Sequence, residues 1–260
     1  MHMAYTSNIR NSGLTALLML VVAVASSSSI RADEIRVFAA GAVQKAVQAL
    51  AADFEAKTAH RIIATYDTVG SLRDKVLAGA APDIVIVSAP ALVVLEEKGR
   101  LQAGSRRDIG RTGVGLMGRA ASTERDISTP DTLKAVLLAA TSIAHADPAR
   151  GATAGTHFRK VIGELGIAEA LASRITVVPF GGAIAEQVAA GTFEIGVSQA
   201  TEIVPDPRVR FLGFLPDALQ LWTVYGAAGV APGSAAANEF MGVLASPVGQ
   251  AAFARTGFRR

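Results

Sequence analysis

Small and hydroxyl-bearing residues recur in this sequence directly after short apolar runs, and those positions are where chemistry could be done. Gly41-Ala42 follows the run 35–40, and Thr68-Val69-Gly70-Ser71 follows 61–66. Ser88 closes the run 84–87, Gly151-Ala152-Thr153 comes shortly after 142–145, Gly181-Gly182 follows 175–178, and Ser198-Gln199 ends 194–197. If each is the turn between a strand and a helix, the first N–H groups of the helix have no intrahelical partner. The helix dipole adds partial positive charge at the same place, which makes such a turn a seat for an anion. Small residues let a ligand approach the backbone closely, and Ser, Thr and Gln side chains add donors. The candidate binding set is therefore Gly41, Ala42, Thr68, Val69, Gly70, Ser71, Ser88, Gly151, Thr153, Gly182 and Gln199. No catalytic residue is assigned from the sequence.

Other chemistries find little support. There is no Cys, so there is no disulfide and no thiolate site. His60, His145 and His157 lack metal-ligand spacing, and neither a nucleophile elbow nor a phosphate loop is present. No metal and no cofactor are expected. Gly113-Val114-Gly115-Leu116-Met117-Gly118 matches a dinucleotide fingerprint as text. It lies inside a strand-like run rather than between a strand and a helix, so nucleotide binding is not expected. His145 and His157 flank the loop 146–155, where one could face a cleft as a proton carrier. The expectation for His157 is a solvated helix face, and for Asp147 a capping bond to the loop backbone.

The elements that must position these turns alternate. Residues 35–40, 61–66, 84–87, 142–145, 175–178 and 194–198 read as strands. Between them Val43, Val47, Leu50 and Phe54 recur at helical spacing, as do Leu72, Val76 and Leu77. Ser128-Thr129-Pro130-Asp131 is a helix start with a hydroxyl cap and Pro at the first position, and a further helix is expected over 157–165. Residues 219–225 read as a strand, and two helices close the chain, the second opened by Ser246-Pro247. Such alternation predicts parallel sheets with crossover helices, and ligands of open parallel sheets bind at the carboxyl ends of strands. Half of the residues are hydrophobic and only 5% are aromatic, which suits tight α/β layers rather than a stacking platform for nucleic acid.

Residues 1–32 carry Arg10, Arg31 and no acid, with an apolar run over 14–25. This predicts a signal peptide cleaved after Ala25 or Ala32, and a periplasmic protein. Taking Arg10 and Arg31 from the 25 basic residues leaves 23 against 22 acids, so no basic face for nucleic acid is expected.

Val37-Phe38-Ala39-Ala40-Gly41-Ala42, the turn 68–71 with Leu72, Pro82-Asp83-Ile84-Val85-Ile86-Val87-Ser88 and Asp147-Pro148 together resemble the periplasmic molybdate-binding proteins of ABC importers. The resemblance runs from about residue 35 to residue 258. It implies the two-lobed type II periplasmic-binding-protein fold, an α/β architecture in which each lobe is a mainly parallel sheet flanked by helices. Lobe 1 would be 33–112 plus 229–260 and lobe 2 would be 119–221, with crossing hinge segments 113–118 and 222–228. It also implies a monomer that closes on a small anion, oxyanion or carboxylate, and delivers it to an ABC permease in the inner membrane. This chain has Ala42 and Gly70 where that family usually places Ser, and Gln199 where it often places Tyr. Those departures imply a carboxylate rather than molybdate. Ala40-Gly41-Ala42-Val43 and the loop 151–155 also resemble a branch of the same fold that includes a periplasmic aconitate isomerase. That likeness implies, as the alternative, isomerisation of a polycarboxylate.

Overall fold

The computed structural model describes residues 1–3, 33–230 and 232–260. The segment 4–32, which holds the expected signal peptide and its cleavage sites, lies outside the described residues. Among the described residues no helix is long and apolar enough to cross a membrane.

The first lobe opens with β1 (Glu34–Ala40), α1 (Gln44–Lys57), β2 (Arg61–Asp67), α2 (Val69–Leu77), β3 (Ile84–Ser88) and α3 (Ala89–Glu97). β1 pairs in parallel with both β2 and β3. β3 is buried along its whole length, as expected for a strand covered on both faces. α1 turns Ala46, Val47, Leu50 and Phe54 onto the sheet, and each large apolar side chain so buried stabilises the fold by about 1.5–3 kcal/mol.

β4 (Arg107–Arg119) then leaves this lobe. Beyond it come α4 (Pro130–Ala139), β5 (Ile143–Ala146), α5 (Thr153–Glu164), α6 (Ala168–Leu171), β6 (Ile175–Val178), α7 (Gly182–Ala189), β7 (Ile195–Gln199), α8 (Ala200–Ile203) and β8 (Val209–Phe214). β5 pairs in parallel with β6 and β7. Thr129 caps α4 through a reciprocal box with Thr132, with Pro130 in the first turn. The chain returns through β9 (Trp222–Gly229) and ends in α9 (Ala235–Ala245) and α10 (Pro247–Arg255), the latter capped by Ser246.

The strand order is β2-β1-β3-β9-β4-β7-β5-β6, with β8 also on β4. β4 changes partners along its length. Residues 107–113 pair with β9, whereas 114–119 pair with β7 and β8. The apolar clusters follow the same division, one built from residues 35–95 and 225–258 and two from residues 114–215. The architecture is the expected α/β fold of two lobes, each a mainly parallel sheet flanked by helices.

Three local readings are corrected. α5 begins at Thr153, not at 157, because its small residues let the first turn lie flat on β5; a Cβ on Gly155 would stand 1.8 Å from the Ala146 carbonyl. β8 has no counterpart in the sequence reading. It is an irregular edge strand, with a register shift at Leu116/Met117 and Gly213 at φ 141°, so its alternation is broken. His157 is half-buried rather than solvated, with its Nε2 2.7 Å from the Leu219 carbonyl.

Candidate functional site

The carboxyl ends of β1 and β2 face those of β5 and β7 across a cavity of about 30 Å³. Its walls are Ala40, Gly41, Ala42, Asp67, Thr68 and Val69 from the first lobe. From the other side come Ala146, Ala152, Thr153, Ala154, Gly181, Ser198, Gln199 and Glu202, and β9 adds Tyr225.

Gly41, Ala42, Thr68, Val69, Thr153 and Gln199 from the sequence-derived set line this cavity. Gly41 starts a 3-10 turn that runs into α1, so backbone at Gly41-Ala42 leads into a helix N-terminus. Gly70, Ser71 and Gly151 do not line it. Gly70 N–H donates to the Gly151 carbonyl at 3.2 Å, and Ser71 N–H donates to Thr68 Oγ1 at 3.2 Å. Both donors are therefore used inside the protein. Ser88 is buried at the end of β3 opposite Tyr225, and Gly182 opens α7 one residue beyond the cavity-lining Gly181. His145 is not on the lining either; it is fully buried, with Nδ1 2.9 Å from the Ala146 carbonyl and its ring against Phe158. Burial holds its pKa below the ordinary histidine value. Asp147 caps the loop by accepting from Ala149 N–H at 2.9 Å.

The glycines were expected to leave room for a ligand, and the structure fills much of that room with protein. A Cβ on Gly41 would stand 2.5 Å from Glu202 Oε1, and one on Gly181 would stand 2.5 Å from the same oxygen. Glu202 thus puts its carboxyl between turns belonging to the two lobes. Burial pushes this carboxyl up from the usual range, although Ser198 Oγ and the Gln199 N–H both favour its ionised form.

Two further wall residues escaped the sequence reading. Asp67 accepts from Lys75 Nζ and from Arg150 Nη2, each at 2.8 Å, the second across the cleft. Burial works to raise the Asp67 carboxyl, but the hydrogen bonds from Lys75, Arg150 and Thr68 N outweigh it and hold it below the usual range. Tyr225 is fully buried with its hydroxyl against Thr153 and Gln199, and burial, reinforced by Glu202, pushes its phenol far up. Tyr225 thus brings a phenol to the cavity wall from β9. Gln199 is itself 2% exposed, and its Oε1 has no hydrogen-bond partner.

Glu202 could have been suspected, because it follows the strand end at Ser198 by one helical turn. Tyr225 offered no local signal, since it reaches the cavity by the antiparallel pairing of β9 with β3. Among the described residues no group of His, Asp or Glu is placed to hold a metal ion.

A two-lobed α/β fold with a polar cavity at the facing strand ends defines the class of type II periplasmic binding proteins. The chain belongs to the family of bacterial extracellular solute-binding proteins, whose model matches residues 35–259. It is similar to the periplasmic molybdate-binding protein of Azotobacter vinelandii, with TM-score 0.73 and 20% identity over 87% of this chain and 99% of that one. It is also similar to the sulfate-binding protein of Mycobacterium tuberculosis, with TM-score 0.66 and 16% identity over 87% of this chain and 86% of that one. In sequence it is 25% identical over 162 residues to an aconitate isomerase of a Pseudomonas species, a stretch covering 62% of this chain and 60% of that enzyme.

Proposed function

We propose that this protein is a periplasmic receptor of an ABC importer, closing its two lobes on a small anion and presenting it to a permease. The observation that carries the reading is the cavity itself. It is walled from both lobes by the strand-end turns at Gly41-Ala42 and Thr153 and by the polar side chains of Gln199 and Tyr225. β4 is the strand that pairs in both lobes, and the chain returns to the first lobe at β9, so bending where β4 changes partners, near residues 113–118, together with bending at the second crossing, expected over 222–228, would open the cleft. The similarity to molybdate- and sulfate-binding proteins supports an anionic cargo.

The cargo we favour carries a carboxylate, because Ala42 offers no hydroxyl and Gly70 has turned away to Gly151. The small size of the cavity means that a tricarboxylate would hold the lobes further apart than they stand here. Mass action makes any true ligand raise the melting temperature. Thermal shifts with molybdate, tungstate, sulfate, phosphate, citrate and the aconitates test the reading. A shift with a carboxylate supports it, a shift with molybdate alone reverses the choice of cargo, and no shift with any of them defeats it.

The similarity to an aconitate isomerase favours a second reading, in which the same cavity moves a proton along an allylic tricarboxylate. NMR of cis- and trans-aconitate incubated with the protein separates the two, since a receptor leaves their ratio unchanged.

A further inference from the structure

Three ionisable side chains line the cavity, and they are in different states. Asp67 is already neutralised by two cations, Lys75 and Arg150, which leaves one unit of positive charge beside the cavity. Tyr225 is a neutral phenol. Glu202 alone has no cation. Its hydrogen-bond partners are the Ser198 hydroxyl at 2.5 Å and the Gln199 N–H, and its carboxyl presses on Gly41 of one lobe and Gly181 of the other.

Charges on the elements packed around α8 are engaged elsewhere. Lys45 of α1 and Glu186 of α7 act on the Asp206–Arg208 pair, Arg210 of β8 pairs with Glu124, and Arg111 of β4 lies over Trp222. Arg119, at the end of β4, lies beside Gly191, and Asp108 pairs with Arg106. The titratable group that does face Glu202 is Tyr225.

An anion in this cavity would share a buried space with the Glu202 carboxyl. Two negative charges in so confined a space disfavour one another, which favours uptake of a proton by one of them. The unpaired Oε1 of Gln199 is a separate acceptor on the same wall, open to a hydrogen that the ligand itself carries. A buried acceptor without a partner is relieved by a ligand that brings a hydrogen, which a fully deprotonated inorganic oxyanion such as sulfate or molybdate lacks.

We propose that the cavity binds its anion together with one proton, and that Glu202 is the wall residue that makes the proton obligatory. This rests on the anion-receptor reading above and deepens it: the cargo is an anion plus a hydrogen, shared between Glu202 Oε1 and the ligand. Enclosure of the carboxyl between Gly41 and Gly181 favours its protonated form, so the proton is taken up as the lobes close on the anion. Because both lobes form that enclosure, opening them would let water reach the carboxyl and release the proton.

The test uses the full chain and sulfate, molybdate, phosphate and trans-aconitate as probes. The probe that raises the melting temperature is titrated calorimetrically between about pH 5 and about pH 8, in buffer pairs of small and large ionisation enthalpy. The expected result is uptake approaching one proton per anion, with affinity falling by up to about tenfold per pH unit as pH rises. Glu202→Gln should bind without that uptake and with a flat profile, and the difference from wild type removes any proton released by the probe itself. Ser198→Ala keeps the test open if Glu202→Gln fails to fold. It removes a bond that favours the ionised carboxyl, so the wild-type profile should move to higher pH. Binding without proton uptake, or uptake that survives Glu202→Gln, overturns the role of Glu202 while leaving the anion reading intact. No shift with any of these four probes, nor with tungstate, citrate or cis-aconitate, overturns both.

Discussion

Gly70 and Gly151 meet backbone to backbone across the cleft, the Gly70 N–H donating to the Gly151 carbonyl at 3.2 Å. Gly151 holds φ +69°, a left-handed conformation that glycine adopts without strain. A Cβ on Gly70 would stand 2.6 Å from Gly151 Cα and 2.7 Å from the Arg150 carbonyl, and neither backbone atom can swing aside. Thr68 Oγ1 donates to the same Arg150 carbonyl, and Arg150 itself reaches Asp67. The edge of the cleft is thus shut by a short stretch of backbone that tolerates no side chain.

Gly70→Ala should therefore keep the lobes from closing fully. Anion affinity is expected to fall at least about tenfold, a loss of about 1.4 kcal/mol. Small-angle scattering should show that ligand no longer compacts the variant. Unchanged affinity in calorimetry would show that this contact is dispensable for binding.

Asp67→Asn removes the carboxylate shared by Lys75 and Arg150 and should destabilise the closed form by about 1–3 kcal/mol at neutral pH. The folded carboxyl titrates below its ordinary value of 3.8, so its contribution is present above that pH and is lost as pH falls through the lower folded value. Urea melts across the acid range should show a loss in wild type that the variant lacks.

Tyr225→Phe keeps the ring packed edge-on against Phe258, with centroids 5.8 Å apart, and removes only the hydroxyl beside Thr153 and Gln199. Stability should change by less than about 1 kcal/mol, while anion affinity falls by about five- to tenfold, the loss of one hydrogen bond. Equal losses in both measurements would assign the hydroxyl to the fold rather than to the site.

Gly181→Ala places a Cβ within 2.8 Å of three Glu202 carboxyl atoms. It should destabilise the wild-type background by about 1–3 kcal/mol and cost much less beside Glu202→Ala, where the space is open. A double-mutant cycle of unfolding free energies reads the coupling directly; additive losses would mean that Gly181 is glycine for some other reason.

Glu202→Gln should raise stability at alkaline pH more than at acid pH. The folded carboxyl titrates above its ordinary value of 4.5, so wild type has its full contribution below that value and loses it as pH rises through the folded one. Melting temperatures of both proteins across that range check the sign, and parallel curves would refute it.

Much of the frame was legible because local patterns carry it. The continuous apolar run of β3, the 3.6-residue spacing of Val43, Val47, Leu50 and Phe54, and the Thr129-Pro130 cap each declare an element within a dozen residues. Small residues at strand ends likewise pointed to one side of a parallel sheet, and Gly41, Ala42, Thr68, Val69, Thr153 and Gln199 do share a cavity. What no window of sequence contains is which turns face one another. Glu202 meets Gly41 and Gly181, Asp67 meets Arg150, and Tyr225 enters from β9, each through pairings between segments distant in the chain. Gly41 and Gly70, read as space for a ligand, also lie close to a carboxyl and to a second backbone. A missing side chain says that something comes close, and only the packed tertiary structure decides what it is.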